Sequence, residues 1–135
     1  MANNPLVYDA ATIATINAFT ALLNSGTLKI YTGSQPAVDV GVTGTLLATL
    51  TFGATAFATA TATGSGGAAV ANTITSGTAG NTGTAGYFAL ESSGAAVEAT
   101  GTVGTSGCDL NLNSVAISSG ATVSCTAFTV TQAQT

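Results

Sequence analysis

The chain has 135 residues, 46% of them hydrophobic and only 4% charged, with one basic and five acidic residues and a formal net charge of −4. About 25% charge is usual for a soluble domain, so this surface is covered by Thr, Ser, Asn, Gln, Gly and small apolar side chains. The single basic residue, Lys29, cannot neutralise a row of phosphates, which argues against nucleic acid and anionic membranes as partners, and no apolar run reaches the ~20 residues of a spanning helix.

The length fits a single domain over residues 1–135, enough to bury a core. The opening MANNPLVYDA lacks the positive and apolar regions of a secretory signal, and residues 1–8 read as an extended arm. In residues 9–25 (DAATIATINAFTALLNS), Ile13, Ile16, Phe19 or Thr20, and Leu23 recur at helical spacing, with Leu22 widening the stripe. Asp9 is placed to cap the first turn, and Gly26 to take a left-handed conformation after the last.

From there residues 27–132 read as short β-rich runs cut by Gly, Ser and Asn. The runs are 27–31, 45–52, 54–63, 69–75, 86–91 and 96–104, followed by CDLNLN, SVAIS and ATVSCTAFTV. Two stretches rich in Gly, Ser and Thr, ATGSGGAAV and TSGTAGNTGTAG, read as exposed mobile loops. Close-spaced strands without intervening helices predict an all-β antiparallel sandwich or jelly roll with one short N-terminal α-helix.

In CDLNLN, Cys108, Leu110 and Leu112 share one strand face, and Val123 and Cys125 share another. Both cysteines therefore fall on the inward side. Metal binding fails for want of ligands, since zinc asks for four Cys or His and the chain has two Cys and no His. Two readings stand: buried thiols, or a disulfide joining Cys108 and Cys125. The inward set also changes from odd to even before Phe128, which calls for a β-bulge near Ala127.

Without histidine there is no Ser-His-Asp or Cys-His site. Lys29, which a Ser-Lys pair would have to use, sits mid-strand between Leu28 and Ile30 with no motif beside it; an isopeptide bond to a neighbouring Asn is its other chemical option. Glu91 and Glu98 flank the turn SSGAA and form the one carboxylate pair that a glycosidase reading could use, yet each simply fits the polar position of an alternating strand. The acids show no calcium-loop spacing, and the glycine segments contain no phosphate loop or dinucleotide fingerprint. The expectation is a non-enzyme with no catalytic residue, cofactor or metal.

LLNSGTLKIYTGSQPA (Leu22 to Ala37), GTLLATLTF (Gly44 to Phe52), GTAGYFALESSGAAVEATGTVGTSGCDLNLNS (Gly83 to Ser114) and the tail VAISSGATVSCTAFTVTQ (Val115 to Gln132) together resemble small β-rich virion proteins of tailed bacteriophages, of the capsid decoration or cement type. Such proteins typically carry acids in the KIYTGSQPA region and near ATGTVG, where this chain has Thr32 and Thr100. The resemblance implies a structural protein on the capsid exterior, made in the host cytoplasm, which binds the major capsid protein and stabilises the shell, with a trimer the favoured homo-oligomer. Candidate shell contacts are Pro5, Leu6, Val7 and Tyr8 in the arm, and Gln35 and Pro36 in the loop TGSQPAVDVG. With so little charge, attachment should resist high salt.

Three other functions are weaker on the residues. A tail or fibre location would suit the same composition. A glycan-binding or adhesin module is disfavoured by 6% aromatics and no Trp. Ice binding would rest on the ladder of Thr59, Thr61 and Thr63, which has no repeat to stack on.

Overall fold

A computed structural model describes residues 7–133 of the chain. The helix α1 (Asp9–Ala21) buries Thr12, Ile16 and Thr20, and Leu23 just beyond it is fully buried. It ends at Ala21 and not at residue 25, and Leu22 is 49% exposed instead of widening the stripe. Asp9 is the first helical residue; the cap position belongs to Tyr8, which makes no side-chain capping bond. The acid keeps a favourable place near the positive end of the helix dipole. The left-handed residue after the helix is Ser25, φ 58°, and not Gly26. Gly26 serves close approach instead, since a Cβ there would stand 2.2 Å from the Glu91 carbonyl oxygen.

The strands follow as β1 (Thr27–Thr32), β2 (Leu46–Phe52), β3 (Thr61–Ala62), β4 (Gly66–Val70), β5 (Ile74–Thr75) and β6 (Gly77–Thr78). They continue with β7 (Gly83–Glu91), β8 (Val97–Gly104), β9 (Leu110–Leu112), β10 (Ala116–Ile117), β11 (Thr122–Val123) and β12 (Cys125–Ala133). One sheet runs in the order β3-β4-β12-β9-β8-β7-β1-β2-β5, with β10 against the start of β7, while β6 and β11 pair separately. Every pairing is antiparallel except β8 with β9.

The class is all-β with one short N-terminal helix, and most of the β component is one curled sheet, with β6 and β11 paired apart from it. In strand order β2 and β12 are five steps apart, about 24 Å if the sheet were flat. Yet Phe57 meets Phe52 of β2 and Phe128 of β12 at the same ring separation, 5.7 Å, and Phe128 meets Phe88 of β7 edge-on at 5.4 Å. Curling wraps Leu28, Ile30, Leu50, Leu90, Leu110 and Leu112 round one core, with Ile16 and Leu23 from the helical end of the chain. The helix lies over β3, β4 and β12, and Gly67 leaves room for it: a Cβ there would be 3.1 Å from Ile16.

Three local expectations change. Residues 54–63 are not one strand; only Thr61 and Ala62 pair, with an isolated bridge from Phe57 to Ala71. Side-chain oxygens of the helical region replace the ladder here, Asn24 accepting the Ala56 N–H at 2.8 Å and Asn17 the Ala60 N–H at 3.0 Å. Residues 69–75 divide between β4 and β5, at opposite ends of the sheet order. The two glycine-rich stretches, expected as mobile loops, contain β4, β6, the last residues of β3 and β5 and the start of β7. Some of their glycines sit where backbones touch: a Cβ on Gly66 would meet the Gln132 oxygen at 1.9 Å, and one on Gly77 the Thr49 oxygen at 2.1 Å. The β-bulge lies where the alternation breaks, between Cys125 and Ala127. No helix among the described residues is long and apolar enough to cross a membrane.

Candidate functional site

Alternation along β1 and β7 sends even residues to the core and odd residues to the outer face. On that outer face Lys29 stands opposite Ala89, and Tyr31 opposite Tyr87. The two tyrosine rings stack at 5.3 Å, and Tyr87 is fully buried. Lys29 Nζ donates to Glu91 Oε1 at 3.1 Å, and Glu91 is 5% exposed. The sequence placed Glu91 at an ordinary polar strand position; it is instead a buried carboxylate held by the chain's sole basic side chain. Burial pushes the Tyr31 hydroxyl above the usual tyrosine range; Lys29 opposes that shift, while Glu91 and Tyr87 reinforce it.

The Tyr87 end of this face meets the segment 33–45, a strap between β1 and β2. Its ends are closed by Thr32 N–H donating to the Thr45 oxygen at 3.0 Å, and by Thr45 N–H donating to Thr32 Oγ1 at 2.9 Å. Gly44 is left-handed, φ 83°, where a Cβ would stand 2.2 Å from the Thr32 oxygen, so glycine is required. Tyr87 Oη donates to the Thr43 carbonyl and accepts the Thr43 N–H at 2.8 Å. Gln35 Nε2 donates to Thr100 Oγ1 at 3.0 Å, tying the strap to β8. Thr32 and Thr100, which stand where acids were expected by resemblance, thus both accept strap hydrogen bonds.

Pinned this way, the strap turns its valines outward. Val38 is 89% exposed, Val40 56% and Val42 38%, with Asp39 between the first two in a left-handed conformation, φ 62°. Val97, at the start of β8, is 48% exposed. Between strap residues 37–41 and Val97–Thr100 lies an open groove of about 540 Å³, with Asp39 and Glu98 among its lining. Isolated exposed valines are ordinary; a cluster of them held round a groove is a candidate contact surface.

A second surface is the outer face of β3, β4 and β12. Thr61, Ala68 and Thr131 form one cross-strand row, and Val70 and Thr129 the next. Gly67 faces the helix, so these neighbours face the other way. Thr61, Thr129 and Thr131 are exposed, Val70 is 57% exposed, and the three strands carry no Asp, Glu, Lys or Arg. The Thr59, Thr61 and Thr63 ladder is exposed at the rim of this face.

Of the residues singled out in the sequence, Val7 and Tyr8 are exposed, Tyr8 at 78%, while Pro5 and Leu6 lie outside the described residues. Gln35 and Pro36 are at the start of the strap, Gln35 bonded to Thr100 and Pro36 half-buried. Tyr8 enters the helix over β3, β4 and β12, so Tyr8 and the strap belong to different parts of the strand order. Cys108 and Cys125 are thiols. The Cys108 sulfur lies against Gly104 of β8, and Cys125 pairs with Leu112, so β9 stands between them. Two strand spacings, about 10 Å, exceed the reach of a disulfide. The residue Lys29 meets is a carboxylate, Glu91, and not the Asn that an isopeptide bond would use. Among the described residues no group of three His, Cys, Asp or Glu is placed to hold a metal ion.

Sequence reasoning missed the groove and the valines around it. The signal was VDVGV, an alternating apolar run inside a segment with no strand to pair with. Comparison with protein-family models, with curated proteins and with solved structures finds no match to this chain.

Proposed function

We propose that this protein is a non-enzymatic structural component of a phage-type virion, attached to the outer surface of the capsid and reinforcing the shell. The observation that carries the reading is the strap: a segment pinned at Thr32, Thr43 and Thr45 that holds exposed valines beside a groove. Such a surface is made for adhesion to another protein, and the nearly uncharged exterior offers little repulsion to close contact. The four sequence segments that resemble decoration proteins supply the choice of partner, the major capsid protein. Reinforcement then follows from mass action, because anything that binds assembled subunits and not separated ones raises the cost of rupture. A trimer centred on a shell symmetry axis would present several straps at once and multiply weak contacts.

Electron cryomicroscopy of particles from the lysate that yields the protein tests the reading. Density for this fold in a regular lattice over the capsid exterior is expected. Bare capsids, with the protein free in the supernatant, would overturn it.

A further inference from the structure

The groove beside the strap runs along an open strand edge. β8 spans Val97–Gly104, but β9 pairs only with Val103 and Gly104. Just before that pairing, the Thr102 N–H donates to Asp109 Oδ2 at 2.9 Å, which places this amide on the side of β8 away from β7. Every second residue of an antiparallel ladder turns its backbone groups the same way, so Thr100 also presents its N–H and C=O outward. Val97, Glu98, Ala99 and Thr100 all line the groove. Neighbours alternate faces, so a groove that touches four in a row follows the edge of the strand. Among the described residues no strand pairs with that edge between Val97 and Thr102.

Charge narrows the occupant. Asp39 on the strap and Glu98 on β8 both line the groove, two of the five acidic residues in the chain. The only basic side chain, Lys29, is bonded to Glu91 on β7, so a second copy brings no basic side chain to this place. We propose that the groove receives an extended segment of a partner protein, with a Lys or Arg between two small apolar residues, which adds to β8 as a further strand. This rests on the shell-binding reading and specifies which chemistry of the partner is gripped. Pairing with the Thr100 backbone and burial of Val38, Val40 and Val97 hold the segment. The cation between Asp39 and Glu98 fixes its register and selects it over other strands.

The test is an NMR titration of the full-length ¹⁵N-labelled protein with the peptide acetyl-STVKVTS-amide and with its acidic counterpart acetyl-STVEVTS-amide. The lysine peptide is expected to shift the amide signals of Glu98, Thr100 and residues 37–41, and to bind on the order of five-fold more tightly than the glutamate peptide. Glu98→Lys is expected to reverse that preference; a dispersed amide spectrum of this variant confirms that it folds. Equal affinity for both peptides, no shifts at Thr100, or the same shifts on concentrating the protein alone would overturn the proposal, the last in favour of a second copy. A regular lattice on capsids with no response at Thr100 would leave the shell reading standing and remove the groove. Bare capsids with a selective response at Thr100 would do the reverse.

Discussion

Lys29 and Glu91 lie on the outer face of β1 and β7, their side chains 27% and 6% exposed. A buried ion pair is a weak source of net stability, but removing one partner strands the other charge. Lys29→Met is therefore expected to cost about 3 kcal/mol in urea denaturation, and the double change Lys29→Met with Glu91→Leu distinctly less. Additive costs would show that the two residues are not coupled. Tyr31, stacked on Tyr87 nearby, holds its proton more tightly when folded than unfolded. Its contribution is fully present below the ordinary tyrosine pKa of about 10 and is lost as pH rises through the raised value. The denaturation midpoint should accordingly fall above about pH 10, and Tyr31→Phe should remove part of that fall.

At the scale of elements, α1 governs a stretch of chain that the strand pattern alone misassigns. ATAFATATAT alternates like a strand, yet its amides at Ala56 and Ala60 bond to Asn24 and Asn17. Asn17→Ala is expected to speed hydrogen exchange at Ala60 markedly and to cost about 1–2 kcal/mol. An unchanged Ala60 rate would assign that protection to something other than Asn17. The same stretch shows where sequence reading stops. Local patterning placed β1, β2, β7 and β8 closely, because each is a β-rich run set off by Gly or Ser. It missed the first half of β4 and all of β6 because glycines, legible as flexible, were needed where Gln132 and Thr49 backbones come close. It likewise named Gln35 and Pro36 in the strap but not the valines, since which side of a loop faces solvent is settled by Tyr87, over forty residues downstream.

For the molecule as a whole, the proposed attachment through a surface with almost no charge has a measurable signature. Ionic strength screens surface charges within about 10 Å at 0.1 M salt, but leaves apolar burial and backbone pairing intact. Particles washed in about 1 M NaCl, where the screening length falls to about 3 Å, are expected to retain the protein in the pellet. Its release at that salt would assign the adhesion to charge. Folding should be slow for a chain of this length, because β1 joins β7 and β4 joins β12 across long stretches of sequence.

The position of Lys29 has one more consequence, for proteolysis. It is the chain's single Lys or Arg, hence the only bond after which trypsin cuts, and it is paired on both sides, with Thr49 of β2 and Ala89 of β7. A protease needs several residues in an extended, unpaired conformation, which this site provides only when the sheet opens. Native protein should therefore survive trypsin for as long as it stays folded, and the appearance of two fragments split after Lys29 would measure the population of the opened form. With its one basic residue in a strand paired on both sides, the folded chain is expected to withstand a digestive protease, because the one cut site lies inside its sheet.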